Sequence, residues 1–210
     1  MAQNQRERIL AAVADVTSAA SYAEMTVEDI IVTAGISRRT FYEHFKNKDG
    51  AFLAAYEEAS TRLLAAVRAA YESRQGFAER MSAGIEAFLL LLAADPAFAR
   101  MCIVEVMAAG PEAVARRNAA MSAFAGMIEQ NARERLAEAP PSDLTAETVV
   151  GGIYDVVYTR IQRGELRELP DLAPDLIRTA LVHYLGPDAA PHPNPAATTQ
   201  APARAAPEAP

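Results

Sequence analysis

The chain is expected to be all-α, with about nine helices arranged in two units. Three observations carry this. Apolar residues recur at helical spacing almost continuously up to residue 186. Alternating β-branched runs between hairpin turns, the mark of strands, are missing. The clearest breaks, at Gly35, Gly76, Asp95-Pro96, Gly110-Pro111 and Pro140-Pro141, fall between the periodic stretches.

The first helix is placed over Asn4 to Ala20, with Ile9, Val13, Val16 and Ala20 as its inner stripe. A loop from Ser21 to Met25 follows. Thr26 is an N-cap, and Glu28 and Asp29 suit the first turn of the helix it opens. Val27, Ile30, Ile31 and Ala34 form one apolar stripe, and Gly35 stops the helix because it takes positive φ without steric cost. Ser37 caps a short helix from Arg38 to His44. Ile36, Phe41 and Phe45 point inward, leaving Arg38, Arg39, Thr40, Tyr42 and His44 outside. Asp49 is read as the cap of a long helix to about Ser73, with Phe52, Leu53, Tyr56, Leu63, Leu64 and Val67 on its apolar face. Lys48 precedes that cap, where a helix N-terminus favours a phosphate.

Beyond Gly76, a helix from about Phe77 to Ala94 is apolar on most sides near its end and should be central. Asp95-Pro96 is a cap and first-turn pair for a helix holding Phe98, Met101, Ile103, Val104 and Met107. Gly110-Pro111 opens another, to about Glu138, and Ala139 to Ser142 is a loop. Helices over Thr145 to about Arg163 and Asp171 to Leu185 complete the set. Residues 187–210 hold seven prolines and nine alanines and no large apolar side chain. Such a stretch cannot offset its ordering cost by burial, so it reads as a disordered tail.

The net charge of −7 argues at first against nucleic acid. The local balance reverses this: between Ile36 and Lys48 stand Arg38, Arg39, Lys46 and Lys48 against Glu43 alone. A DNA-binder needs a positive face rather than a positive whole. Two arginines at the start of a short helix suit guanine or phosphate, Thr40 a thymine methyl or phosphate, and Tyr42 and His44 phosphate oxygens. Helix, tight turn and second helix with those groups outside are the pattern of a helix-turn-helix. The candidate DNA contacts are therefore Thr26, Ser37, Arg38, Arg39, Thr40, Tyr42, His44 and Lys48.

Gly35-Ile36-Ser37, Thr40-Phe41-Tyr42-Glu43-His44-Phe45 and Lys46-Asn47-Lys48-Asp49 together resemble the signature of TetR-type transcriptional regulators. The motif spans about two dozen residues. Ile31 stands where that family usually has Ala, and Ser21 lies in a loop where Gly is common. The resemblance implies a DNA-binding unit over residues 1–48, and a ligand-binding and dimerisation unit over 49–186 with a pocket among its middle helices. It favours a repressor released from a palindromic operator in double-stranded DNA by a small-molecule effector.

Within the second unit, Met81, Met101, Met107, Met121 and Met127, with Phe88 and Phe124, supply adaptable apolar surface. Tyr154 and Tyr158 could add hydroxyls, and Glu105 a charge. The candidate ligand contacts are Phe88, Met101, Glu105, Phe124, Met127, Tyr154 and Tyr158, although a Met or Phe stripe is more often core and Glu105 could simply pair with Arg100. For a homodimer, the last two helices are favoured: Gly151-Gly152 permits close approach, and Val149, Val150, Ile153, Val156, Val157, Ile161, Leu176, Ile177, Leu181 and Tyr184 exceed what a solvated pair needs.

An enzyme is disfavoured. There is no Walker A loop, dinucleotide fingerprint, H-E-x-x-H or G-x-S-x-G, and His44, His183 and His192 are scattered. No metal or other cofactor is implied. No run of about 18 uncharged apolar residues is present, the N-terminus has no signal-peptide core, and Cys102 is the single cysteine. A cytoplasmic protein without membrane contact is expected. The rival reading is an all-helical ligand-binding or scaffold protein that does not bind DNA.

Overall fold

The computed structural model describes residues 2–136, 141–142 and 144–187. Every regular element among them is helical. They are α1 (Ala2–Ala20), α2 (Val27–Ala34), α3 (Arg38–His44), α4 (Lys48–Glu72), α5 (Phe77–Ala94), α6 (Pro96–Ala99), α7 (Pro111–Arg135), α8 (Leu144–Gln162) and α9 (Ala173–Leu185). The tail beyond residue 187, the last residues expected of α7, and Ala139 and Pro140 of the expected loop lie outside the described residues.

The first three helices close around Ile9, Val13, Met25, Ile30 and Phe41, all essentially without solvent exposure. Local chemistry positions them. Thr26 and Asp29 form a reciprocal capping box: the Thr26 hydroxyl accepts from the Asp29 N–H, and the Asp29 carboxylate accepts from the Thr26 N–H at 2.9 Å. These bonds from Thr26 hold the Asp29 carboxyl below the ordinary carboxylate range. Gly35 takes φ 59°, and Arg8 of α1 reaches across to donate to the carbonyl oxygens of Ala34 and Gly35, tying the turn to the first helix.

The α1–α2 loop is more ordered than a solvated connection. Tyr22 and Met25 are buried in it. Ser21, where the TetR signature usually has Gly, is the one non-glycine with positive φ (83°) among the described residues, which gives that preference a steric reason.

The cap of α4 is Asn47 rather than Asp49: the Asn47 side chain accepts from the Gly50 N–H at 2.9 Å. Asp49 sits one residue inside the helix and its carboxylate accepts from the Tyr22 hydroxyl at 2.6 Å. Its 25 residues make α4 about 38 Å long. Its early turns bury Phe52 against Tyr22 and its later turns bury Leu63, Val67 and Tyr71, all within one continuous core. The second unit is built on α4, α5 and α7, with Met81, Leu89, Leu92, Leu169 and Leu181 fully buried. Gly84 lets α5 approach α4: an added Cβ would lie 3.3 Å from the Tyr71 ring.

The helix expected over Asp95 to Met107 is broken. One α-turn passes into a π-turn at Arg100–Val104 and then a 3-10 turn at Glu105–Met107. The Glu105 N–H donates to both Arg100 and Met101 carbonyls, so one extra residue is accommodated. Each added residue rotates the following side chains by roughly 100°. The final helix is also shorter than expected: a 3-10 turn spans Leu166–Leu172, and α9 begins beside Pro174, whose missing N–H suits a first turn. No single helix among the described residues is long and apolar enough to cross a membrane.

Candidate DNA-recognition face and ligand cavity

α3 is a seven-residue helix fixed by a cap and a buried anchor. Ser37 caps it, its hydroxyl accepting from the Thr40 N–H at 3.1 Å and lying 2.8 Å from the Thr40 hydroxyl. Phe41 anchors it in the core with no exposure, and the Phe41 ring meets the Tyr42 and Phe45 rings. With Phe41 inward, Arg38, Arg39 and Tyr42 must face out, and Tyr42 is 49% exposed. Thr40 and His44 are half-buried at the edges of that face.

Both arginines make exposed ion pairs, Arg38 with Glu28 at 3.5 Å and Arg39 with Glu43 at 3.0 Å. Exposed pairs of this kind contribute about 0–1 kcal/mol, so a phosphate or base can displace them at little cost. Thr26 and Ser37 present the N-termini of α2 and α3, with their hydroxyls already engaged in capping.

Lys48, expected at a phosphate, has its ammonium turned the other way. It donates to the carbonyl oxygens of Tyr22 (3.1 Å), Ala23 (3.4 Å) and Met25 (2.9 Å) and lies 4.8 Å from the Tyr22 ring centre. An ammonium has three protons, and each is engaged in closing the α1–α2 loop onto α4.

A cavity lies among α4, α5, α7, α8 and the π-turn. Leu63, Val67, Met81, Ile85, Phe88, Met121, Phe124, Met127, Ile128, Val150 and Ile153 make it apolar. Tyr56, Ser60, Tyr71, Arg117 and Tyr154 bring polar groups. Phe88 and Phe124 meet edge to face at 6.3 Å. The Tyr154 hydroxyl donates to the Ile103 carbonyl at 2.6 Å, and burial raises its pKa against the pull of Arg117. Burial also pushes the Cys102 thiol up to about 12, which keeps it protonated and unreactive.

Of the expected ligand residues, Phe88, Phe124, Met127 and Tyr154 line this cavity. Three do not. Met101 faces a separate groove beside Leu10, Ala14 and Phe98. Tyr158 stacks on Tyr154 from outside, its hydroxyl accepting from the Gln162 side chain. Glu105, 4% exposed, points at the first unit: one carboxylate oxygen accepts from the Tyr22 N–H at 2.8 Å and the other pairs with Arg100 at 3.1 Å. Arg117 and Tyr22 escaped the sequence reading. An arginine beside another arginine looks solvated, and a tyrosine in a loop carries no periodic signal.

The apolar surface assigned to a partner is largely consumed within the chain. Val149, Val157, Ile161, Ile177 and Leu181 are buried in the core, Val150 and Ile153 line the cavity, and Tyr184 packs on Phe77. Leu144 and Val156 remain exposed, and nothing lies within 4 Å of a Cβ added at Gly151 or Gly152. Among the described residues no group of three or more His, Cys, Asp or Glu could hold a metal ion.

Residues 9–55 match the family described as bacterial regulatory proteins, tetR family. No curated protein sequence matches the chain. Several solved structures share the fold. The fatty acid degradation regulator FadR from Bacillus halodurans has a TM-score of 0.75 at 18% identity, over 84% of this chain and 94% of that one. FadR from Bacillus subtilis, in complex with stearoyl-CoA, has a TM-score of 0.74 at 19% identity, over 86% and 98%. SmeT, the repressor of the Stenotrophomonas maltophilia multidrug efflux pump SmeDEF, has a TM-score of 0.69 at 22% identity, over 90% and 97%.

Proposed function

We propose that this member of the TetR family of DNA-binding transcriptional regulators is a repressor, released from a palindromic operator when a long, largely apolar ligand enters its cavity. The observation that carries the reading is the pairing of an outward α3 with an apolar cavity along the helix that follows it, α4. Arg38, Arg39, Thr40, Tyr42 and His44 form the DNA-contacting face, and the N-termini at Thr26 and Ser37 receive phosphates. Lys48 acts behind them as the fastener of the α1–α2 loop. We divide the chain into a DNA unit over 1–48 and a ligand and partner unit over 49–186. Two copies join through α8 and α9, where Gly151, Gly152 and Val156 leave room for close helix approach.

The route from ligand to DNA runs through the π-turn. Cys102 and Ile103 face the cavity, Tyr154 holds the Ile103 carbonyl, and Glu105, two residues on, holds the loop at Tyr22. A ligand that displaces this turn shifts the Tyr22 hub, and with it Lys48, Asp49 and the recognition helix. The complex of Bacillus subtilis FadR with stearoyl-CoA, on the same fold, supports a ligand with a long apolar tail. The name of SmeT supports repression.

The test is selection of bound fragments from random duplex DNA with ligand-stripped protein, followed by gel-shift titration with tail-bearing ligands. A palindrome should be enriched, and a bound ligand should weaken operator affinity by about 5- to 150-fold. Absence of enrichment, or operator affinity unchanged by a ligand that demonstrably binds, overturns the reading.

A further inference from the structure

Resting on the reading of the cavity as a ligand site, we propose that its ligand carries an anionic head, held by Arg117, on a long apolar tail. Arg117 is the one charged side chain among the cavity's lining residues. Its guanidinium carbon lies 3.9 Å from the centre of the Tyr154 ring, and Nη1 donates to the Asn118 side chain at 2.9 Å. Its Nε is buried without an acceptor, and no carboxylate among the described residues pairs with it. The adjacent Arg116 is different: Glu57 and Glu112 flank it at 2.6 and 3.0 Å.

A partly buried cation without a counter-anion is costly, and an arriving anion offsets that cost. The planar guanidinium fork matches a carboxylate or phosphate in two-point contact. The geometry extends the argument to the tail. Along α4 the lining runs from Tyr56 to Tyr71, and along α7 from Arg117 to Ile128, eleven residues of helix, about 16 Å. That length takes a zigzag chain on the order of a dozen carbons. The wall between is apolar, from Leu63 and Val67 on one side and Phe124 on the other. A site charged at one end and apolar along its length fits an amphipathic anion. The anion is either a free carboxylate or the phosphate of a conjugate that carries the same tail.

The test uses the full chain and three probes of one tail: dodecanoate, its methyl ester and its coenzyme A thioester, each titrated by calorimetry. An anionic probe should bind at least about tenfold tighter than the ester. Arg117→Met should remove that preference, with a cooperative thermal melt reporting an intact fold, and Arg117→Lys should retain part of it. Preference for dodecanoate alone identifies a carboxylate head, and preference for the thioester alone a phosphate. Equal affinity for all three probes, or an equal loss for all three in Arg117→Met, overturns the proposal while the apolar-ligand reading stands. Failure of all three to bind removes both.

Discussion

The recognition unit and the cavity unit are held together in different ways. α2 and α3 have eight and seven residues, too short to be stable alone, and each is fixed by a side-chain cap and a buried anchor. The helices around the cavity are long, and several of their inward side chains face empty space rather than each other. The comparison teaches where each unit can change. The proposed DNA-contacting face is pinned so that its five side chains stand together, whereas the proposed ligand wall has space to repack around a guest.

The largest expected effect breaks the first side of this comparison. Phe41→Ala empties a site with no exposure and should cost about 3–5 kcal/mol. Phe124→Ala, in the cavity wall, should cost well under half as much and alter ligand affinity instead. Thermal and denaturant melts of both variants check this, and equal costs would remove the distinction.

Glu105→Ala tests the join between the units. The Tyr22 N–H would be left buried without its acceptor, at about 2 kcal/mol. Ligand affinity should persist while ligand no longer releases DNA. Full release in this variant would reject the Tyr22 route.

Tyr42→Ala and Lys48→Ala separate a surface role from a fastening one. Tyr42→Ala should weaken DNA binding across all sequences by about tenfold and shift stability by less than about 0.5 kcal/mol. Lys48→Ala should lower stability by about 1–2 kcal/mol, because three loop carbonyls lose their donor. If Lys48→Ala melts like the parent but loses DNA binding, its contact is with phosphate after all.

The smallest effect refines the loop between α1 and α2. Ser21→Gly relieves a positive φ and should stabilise by about 0.5 kcal/mol, the αL penalty less the entropy of an added glycine. A loss of stability would mean that the Ser21–Glu24 side-chain contact matters more than the backbone.

Local signals explain how much was legible. Thr26, Gly35 and Ser37 act within three or four residues of themselves, so their capping roles and the outward set on α3 follow from order along the chain. Asn47 and Asp49 are both good caps by type, and only the bond to the Gly50 N–H separates them. Glu105 lies just past the π-turn, where helical spacing no longer predicts which way a side chain points; Tyr158 keeps its helical place on α8 but stacks outside Tyr154.

The sequence by itself determined an all-α chain, a helix-turn-helix at its start and the identity of the outward residues, because periodicity and capping act over single turns. The tertiary structure alone decided that Glu105 faces Tyr22, that Lys48 closes a loop, that Arg117 is the one charged side chain lining the cavity and that most of α8 and α9 is used within the chain. Each of these joins residues more than twenty positions apart, and which distant groups meet depends on packing that no local pattern encodes.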